Sequence, residues 1–381
     1  MKITVVAESF HPDVNGVVRT AAATAESLVR LGHDVTVVAP APADDGIRAS
    51  NRLPYRVEWM ASRPWPRNRP LRLGLPTPAI GQALRAHRPD ALVAVGPYLM
   101  GGRALAEARH LGITAGAVYC TDIEMIAGTG ASTETRRKAR LQLAAVHGMA
   151  DVNLAQTQAA AAELTRHLAG QPAGRVEIWE PGVDTVAFSP KRRSDRLRAA
   201  IAPSGELIVA YVGRLATEKQ VDLLAGVARL PGVRLLVVGR GPDASRLREV
   251  LAGARFPGVR RGTALARLYA SLDVFVHTGA YETFGLTVRE AQASGCAVVV
   301  PDAGGAACVV RDGVTGRLVS SHDEGAFTQA IAELASDRHT AARLGAAARA
   351  AAVTRSWVAA AAELVGHLRA AVDTRQTVRH G

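Results

Sequence analysis

Two short apolar runs, residues 2–7 (KITVVA) and 34–39 (DVTVVA), flank a single helix-length segment. Each run ends in three consecutive apolar residues, where a half-exposed antiparallel strand would go on alternating. Near-continuous apolar runs mark strands buried on both faces. A helix over 17–31 joins them, with Gly32 placed to end it at positive φ. The result is a parallel βαβ unit, and that unit dictates the α/β class. Strand runs at 91–95, 114–119 and 152–155 continue the series, with helical patterns between them.

At 381 residues the chain is too long for one ordinary core and suits two domains. Residues 180–206 break the alternation with prolines, glycines and charges and read as a linker. A second series follows, with strands at 207–212, 234–238, 273–277 and 297–300 and an Ala-rich helical tail over 323–372. Two Rossmann-like domains in tandem are expected. Such sheets take ligands at the carboxyl ends of their strands, so two facing domains imply a cleft.

Composition narrows the partners. The net charge is +12, and of the 46 basic residues only Lys2, Lys138, Lys191 and Lys219 are lysines. This excess favours phosphates or an acidic membrane surface. Nucleic acid is disfavoured, because aromatics are 4% and no run mixes basic and stacking residues. Cys120, Cys296 and Cys308 lack metal-ligand spacing and read as reduced thiols. No apolar run reaches the ~18 residues that span a bilayer, and the N-terminus reads as a strand rather than a leader. A cytoplasmic protein is expected. The stretch 65–76 (WPRNRPLRLGLP) reads either as a solvated loop or as a surface element meeting an anionic lipid or acceptor.

Three segments carry chemistry. VVGRGPDASR (237–246) follows a strand and matches G-x-G-x-x-A at Gly239, Gly241 and Ala244. A dinucleotide fingerprint also needs a ribose-holding carboxylate about 20 residues on. GVRRG (258–262) supplies none, so a tight turn near another nucleotide is the better use of these glycines. In YVGRLATEKQV (211–221), Arg214 and Lys219 follow a strand end and suit the two phosphates of a diphosphate leaving group. The alternative is surface pairing with Glu218 or Asp222. In YETFGLTVREAQASG (281–295), a helix starting near Leu286 leaves the N–H groups of Gly285, Leu286 and Thr287 as an anion site. Glu290 then suits neutral hydroxyls such as a ribose, and Glu282 a sugar beyond the same phosphate. A competing view makes Thr287-x-x-Glu290 a capping box; it leaves Glu282 unexplained.

Together these features resemble the retaining GT-B glycosyltransferases of family four over nearly the whole chain. The likeness lies in HPDVNGVVRT (11–20), LGHDVTVVAP (31–40), WEPGVDTVAFSP (179–190), VGRLATEK (212–219) and HTGAYETFG (277–285). It is greatest to the actinobacterial branch that uses GDP-mannose-type donors and includes membrane-lipid mannosyltransferases. The resemblance implies a GT-B fold, with two Rossmann-like domains facing across a cleft. Residues 1–185 with 356–381 would form the acceptor-side domain, and 186–355 the nucleotide-sugar domain.

The resemblance also implies roles. Arg214 and Lys219 would neutralise the diphosphate, Glu282 would hold the donor sugar and Glu290 the ribose. Gly213, Arg240, Phe284, Gly285, Leu286 and Thr287 would line the donor, with Asn15 and Gly16 approaching its phosphates from the first domain. Transfer would retain configuration by front-face attack without metal or cofactor, consistent with the lack of an Asp-x-Asp pair; Asp44–Asp45 is the only adjacent Asp pair. The acceptor would be a lipid or small-molecule hydroxyl, with the enzyme peripheral to the inner membrane face in the lipid case. Two departures bear on the acceptor. Cys120 interrupts VYCTDIEMIAGTG (118–130), leaving Tyr119 and Asp122 as acceptor-side candidates, with Asp122 either orienting acceptor or sugar or capping the following turn, and DAGGAACVV (302–310) lacks the acidic residue usual after its glycine pair. His11 is a lone loop histidine, read as exposed or cleft-lining.

Overall fold

The computed structural model describes residues 1–13, 15–43, 53–64, 72–120 and 130–380. The chain divides into two compact units, Met1–Gly182 with Trp357–Gly381, and Val183–Ser356.

In the first unit, β1 (Lys2–Ala7), β2 (Asp34–Pro40) and β3 (Arg56–Met60) form one half of a parallel sheet. The other half is β6 (Ala91–Val95), β7 (Thr114–Tyr119), β8 (Val152–Ala155) and β9 (Arg175–Ile178). The order β3-β2-β1-β6-β7-β8-β9 reverses direction between β1 and β6. Strand alternation explains the apolar runs. Ile3 and Val5 pack with Leu28 of the helix Gly16–Arg30 and with Leu364 and Leu368 of the last helix, Trp357–His380. Val6 points to the other face, against Leu84 and Leu105. Gly32 has φ +80° just past the first helix, as its position required. The Trp179 indole donates to the Ala360 carbonyl at 2.8 Å in the core, fastening the last helix to this unit.

The expected loop at 65–76 is partly a hairpin: β4 (Ser62–Pro64) pairs antiparallel with β5 (Arg72–Gly74). The Arg72 guanidinium is held by the Ala41 carbonyl at 2.9 Å and by Ser62, so it is committed internally. Residues 65–71 lie outside the described part, as do Asp44 and Asp45.

The second unit has the parallel order β11-β10-β12-β13-β14. Its strands are β10 (Leu207–Val212), β11 (Val233–Val238), β12 (Val274–Val276), β13 (Ala297–Pro301) and β14 (Arg317–Val319). Direction reverses between β10 and β12. Residues 180–206 are not an irregular linker: the helix Asp195–Ile201 buries Ile201, and Arg198 reaches Asp273 at 2.9 Å. Arg349 further binds the carbonyls of Phe188 and Thr185. With only seven residues, this helix shows too little periodicity to be read from sequence. The expected Ala-rich tail is three helices, Glu324–Ser336, Arg338–Ala352 and Trp357–His380. Val183 and Ser356 pair where the chain enters and leaves the second unit.

Replacing Trp179 with Phe removes both the indole N–H that holds the Ala360 carbonyl and part of a fully buried ring. A loss of about 1–3 kcal/mol is expected, measured as a lowered denaturation midpoint; an unchanged midpoint would show that the last helix is held without this bond.

Candidate active site

The β10 and β11 loops are built on glycine. The Gly213 N–H donates to the Val238 carbonyl at 3.0 Å, Leu215 N–H to Arg240 at 3.0 Å, and Asp243 N–H to Leu215 at 3.0 Å. A Cβ on Gly239 would lie 1.8 Å from the Gly213 oxygen, and one on Gly241 would lie 2.0 Å from the Leu215 oxygen. The G-x-G-x-x-A pattern therefore serves backbone-on-backbone packing that fixes the 213–215 loop. The Tyr211 hydroxyl secures the same loop, donating to the Arg214 carbonyl at 2.9 Å.

Beyond this loop, Lys219 closes the short 3-10 helix Thr217–Lys219. Its Nζ stands 2.5 Å from Glu282 Oε1, with the two side chains 11% and 23% exposed. The two residues assigned to different parts of a donor are thus in direct contact, at the carboxyl ends of β10 and β12, where the sheet reverses. The Thr278 hydroxyl, fully buried, donates to the Lys219 carbonyl at 2.6 Å. Burial alone would raise the Glu282 carboxyl; the Lys219 ammonium, with His277 behind it, outweighs burial, and the net direction is down. Arg214 is more open, 38% exposed, and 3.6 Å from Glu218. Its surface pairing matches the plainer sequence alternative, whereas Asp222 pairs with Arg246 instead.

The helix Leu286–Ala293 begins on Gly285, at φ +93°, a residue with no side chain of its own to cap the first turn. Thr287 lies inside the helix, so the Thr287–Glu290 capping box does not form its start. Gly285 takes the left-handed conformation that a β-branched N-cap resists. Glu290 is buried at 5% exposure, and the Phe284 ring is buried with the Arg289 guanidinium 5.7 Å from its centroid. Arg240 is exposed.

Sequence reasoning missed the parts that hold Glu282. A Cβ on Gly304 would meet the Ala280 oxygen at 2.1 Å, and one on Gly305 the Thr283 carbonyl carbon at 2.3 Å. Gly305 N–H donates to the Glu282 carbonyl at 2.5 Å. The glycine pair in DAGGAACVV was the visible signal, noted only for the acidic residue it lacks. His277 was also missed; it is 2% exposed, beside Glu282.

The first unit treats its own switch point differently. Glu8, just past β1, accepts from the N–H groups of Tyr98 at 2.6 Å and Gly101 at 2.7 Å, filling the start of the helix Met100–Leu111. Burial raises this carboxyl, against the lowering effect of those N–H groups. Asn15 caps the helix Gly16–Arg30 through Val18 N–H at 2.9 Å, and its amide donates to Ser9 at 3.0 Å. Gly16 is exposed, with no atom of the chain within 4 Å of a built Cβ. Tyr119 is a core residue, 1% exposed and edge-on to His147 at 5.7 Å, so its ring offers no acceptor surface. Asp122 lies outside the described residues. His11 is exposed, and all three cysteines are free thiols. Among the described residues no cluster of His, Cys, Asp or Glu has the make-up of a metal site.

Residues 14–187 match the family described as Glycosyltransferase Family 4, and 193–351 the one described as Glycosyl transferases group 1. The chain belongs to the family-four glycosyltransferases and is a glycosyltransferase. It is 40% identical to a GDP-mannose-dependent alpha-mannosyltransferase of Mycolicibacterium smegmatis, covering 98% of this chain and 99% of that one. A protein of the same description from Corynebacterium glutamicum is 35% identical, covering 99% and 91%. The fold is GT-B. Anabaena HepE, solved with UDP, superposes with TM-score 0.76 at 20% identity over 97% of this chain and 100% of that one. Sucrose-phosphate synthase from Thermosynechococcus elongatus gives 0.77 at 20% identity, covering 97% and 98%.

Burial drives the His277 imidazole from its ordinary 6.5 down to about 4. The unfolded chain therefore takes up this proton first as pH falls. The contribution to stability is complete above about pH 6.5 and lost progressively toward 4, roughly 3 kcal/mol in all. Chemical denaturation between pH 7.5 and 4.5 should show this slope, reduced in His277→Gln. An equal slope in the variant would place the titrating group elsewhere; buried His147 is lowered in the same way.

Proposed function

We propose that the chain transfers mannose from GDP-mannose to a hydroxyl of a lipid or small-molecule acceptor, with retention. The observation that carries this reading is the largely buried Lys219–Glu282 pair beside a helix start whose N-cap is a glycine. Lys219, with Arg214 nearby, supplies positive charge where a diphosphate gains negative charge on leaving, and the N–H groups of Leu286 and Thr287 add a fixed dipole. Glu282, kept ionised, accepts hydrogen bonds from sugar hydroxyls, and Glu290 from the ribose. The GDP and mannose assignments come from the near-full-length relatives named for that donor.

In the reaction, the bond from the sugar's anomeric carbon to the diphosphate breaks while the acceptor oxygen bonds to the same face. The acceptor's proton goes to the departing phosphate oxygen. By the family resemblance, Asn15, Gly16, Gly213, Arg240, Phe284 and Gly285 also meet the donor, and Asp122 the acceptor. The positive charge and the arginine-bearing 65–76 segment favour a lipid acceptor at an anionic inner membrane face. The altered run around Cys120 favours a soluble one. Among the described residues no helix is long and apolar enough to cross a membrane.

Incubation with GDP-mannose and a panel of lipid and soluble acceptors, with mass detection, tests the reading. Product is expected with EDTA present, falling about 10²–10³-fold in Lys219→Met and further in Glu282→Ala. A strict metal requirement, or full activity in Glu282→Ala, would contradict it.

A further inference from the structure

His277 is the one buried polar group at this site to which the donor reading gives no task. Its ring lies nearly parallel to Tyr211, with centroids 6.4 Å apart and planes at 12°. Nε2 is 3.7 Å from Glu282 Oε1, the oxygen that Lys219 Nζ holds at 2.5 Å. Neither ring nitrogen makes a hydrogen bond of ordinary geometry, and the Gly279 backbone offers only a weak contact. A Cβ on Gly279 would touch both Nε2 and the Lys219 Cδ at 3.4 Å, so the imidazole and the lysine stem are packed against one small residue. Leaving a buried imidazole unsatisfied costs about 1–3 kcal/mol; a polar ring placed so against the key carboxylate calls for a second state in which it is paired.

We propose that His277 is a positioning residue for Glu282, its Nε2–H held in reserve for the carboxylate oxygen that Lys219 releases on turning to a donor phosphate. The inference rests on the donor reading above. A diphosphate carries more negative charge than one carboxylate and draws the ammonium toward itself. Glu282 is then a desolvated anion that has lost its counter-charge, which is strongly unfavourable. A movement of about 1 Å brings Nε2 within hydrogen-bond distance of Oε1. A neutral imidazole does this without adding a cation that would compete with Lys219 or repel it. The groups around the ring agree: Tyr211 packs on its face, and Lys219 and Glu282 stand at its edge, with Glu218 and Arg214 farther along the β10 loop. The Tyr211 stack also links the ring to the loop carrying Arg214, so both arms of the clamp rest on one aromatic pair.

His277→Phe keeps a ring against Tyr211 and removes the N–H, while His277→Gln restores a side-chain donor. In His277→Phe, GDP should bind roughly 10–100-fold more weakly, and kcat/KM with GDP-mannose should fall by a comparable factor. This is the pattern of an interaction made as soon as the donor phosphates are bound. His277→Gln should recover most of the rate, and the wild-type kcat should stay level from pH 8 to 5.5. In the unmodified chain labelled with ¹⁵N-histidine, saturating GDP should move the His277 Nε2–H resonance to a hydrogen-bonded position. Wild-type GDP affinity in His277→Phe, no recovery in His277→Gln, a wild-type rate that falls as pH rises through 6–7, or an unmoved resonance would each overturn the inference while GDP binding by the wild-type chain kept the donor reading. A wild-type chain that neither binds GDP nor consumes GDP-mannose would overturn both.

Discussion

The Lys219 ammonium and the Glu282 carboxylate are 2.5 Å apart and mostly withdrawn from water, and much of the second unit's loop architecture serves that contact. Desolvating two charges costs several kcal/mol per ion, recovered only when geometry holds them together. The surroundings supply that geometry through the backbone. Thr278 grips the Lys219 carbonyl, Gly305 grips the Glu282 carbonyl, and Gly304 and Gly305 allow the two loops to touch. Holding these charges by main chain leaves their side chains available to a ligand.

The two sheets solve the same problem in opposite ways. Each reverses its strand order once and brings a helix start near the reversal, the usual place for an anion. In the first unit the protein fills that place itself, with Glu8 on the N–H groups of Tyr98 and Gly101. In the second, Gly285 starts the helix and brings no side chain to its N–H groups, and the Lys219–Glu282 pair stands at the strand ends nearby. A phosphate would meet a buried carboxylate at the first reversal and an ammonium at the second. This asymmetry supports placing the donor in the second unit.

Much of this was legible in the sequence because buried parallel strands leave uninterrupted apolar runs, as in KITVVA, ALVAV and LIVAYV. The edge strands β3, β9 and β14 were not, because RVEWM, RVEI and RLV mix charges with apolar residues on a half-exposed border. Glu282, Glu290, Arg214 and Lys219 stood out by charge and position after strands. Their pairing did not, since the Lys219–Glu282 contact joins residues 63 apart in sequence. The capping box failed because Gly285 already starts the helix. Tyr119 read as acceptor-facing from its neighbours, yet its ring points into the core cluster with Leu143 and Leu164. His277 carried no local signal, because an imidazole acquires its meaning only from what packs around it.

A crystal structure of the chain with GDP shows directly whether the reversal between β10 and β12 clamps a diphosphate. The terminal phosphate is expected within hydrogen-bond distance of Lys219 Nζ and of the Leu286 or Thr287 N–H, with Glu290 on the ribose. A nucleotide seated instead at the strand ends of the first unit, or a phosphate away from Lys219 with the Lys219–Glu282 pair untouched, would contradict it.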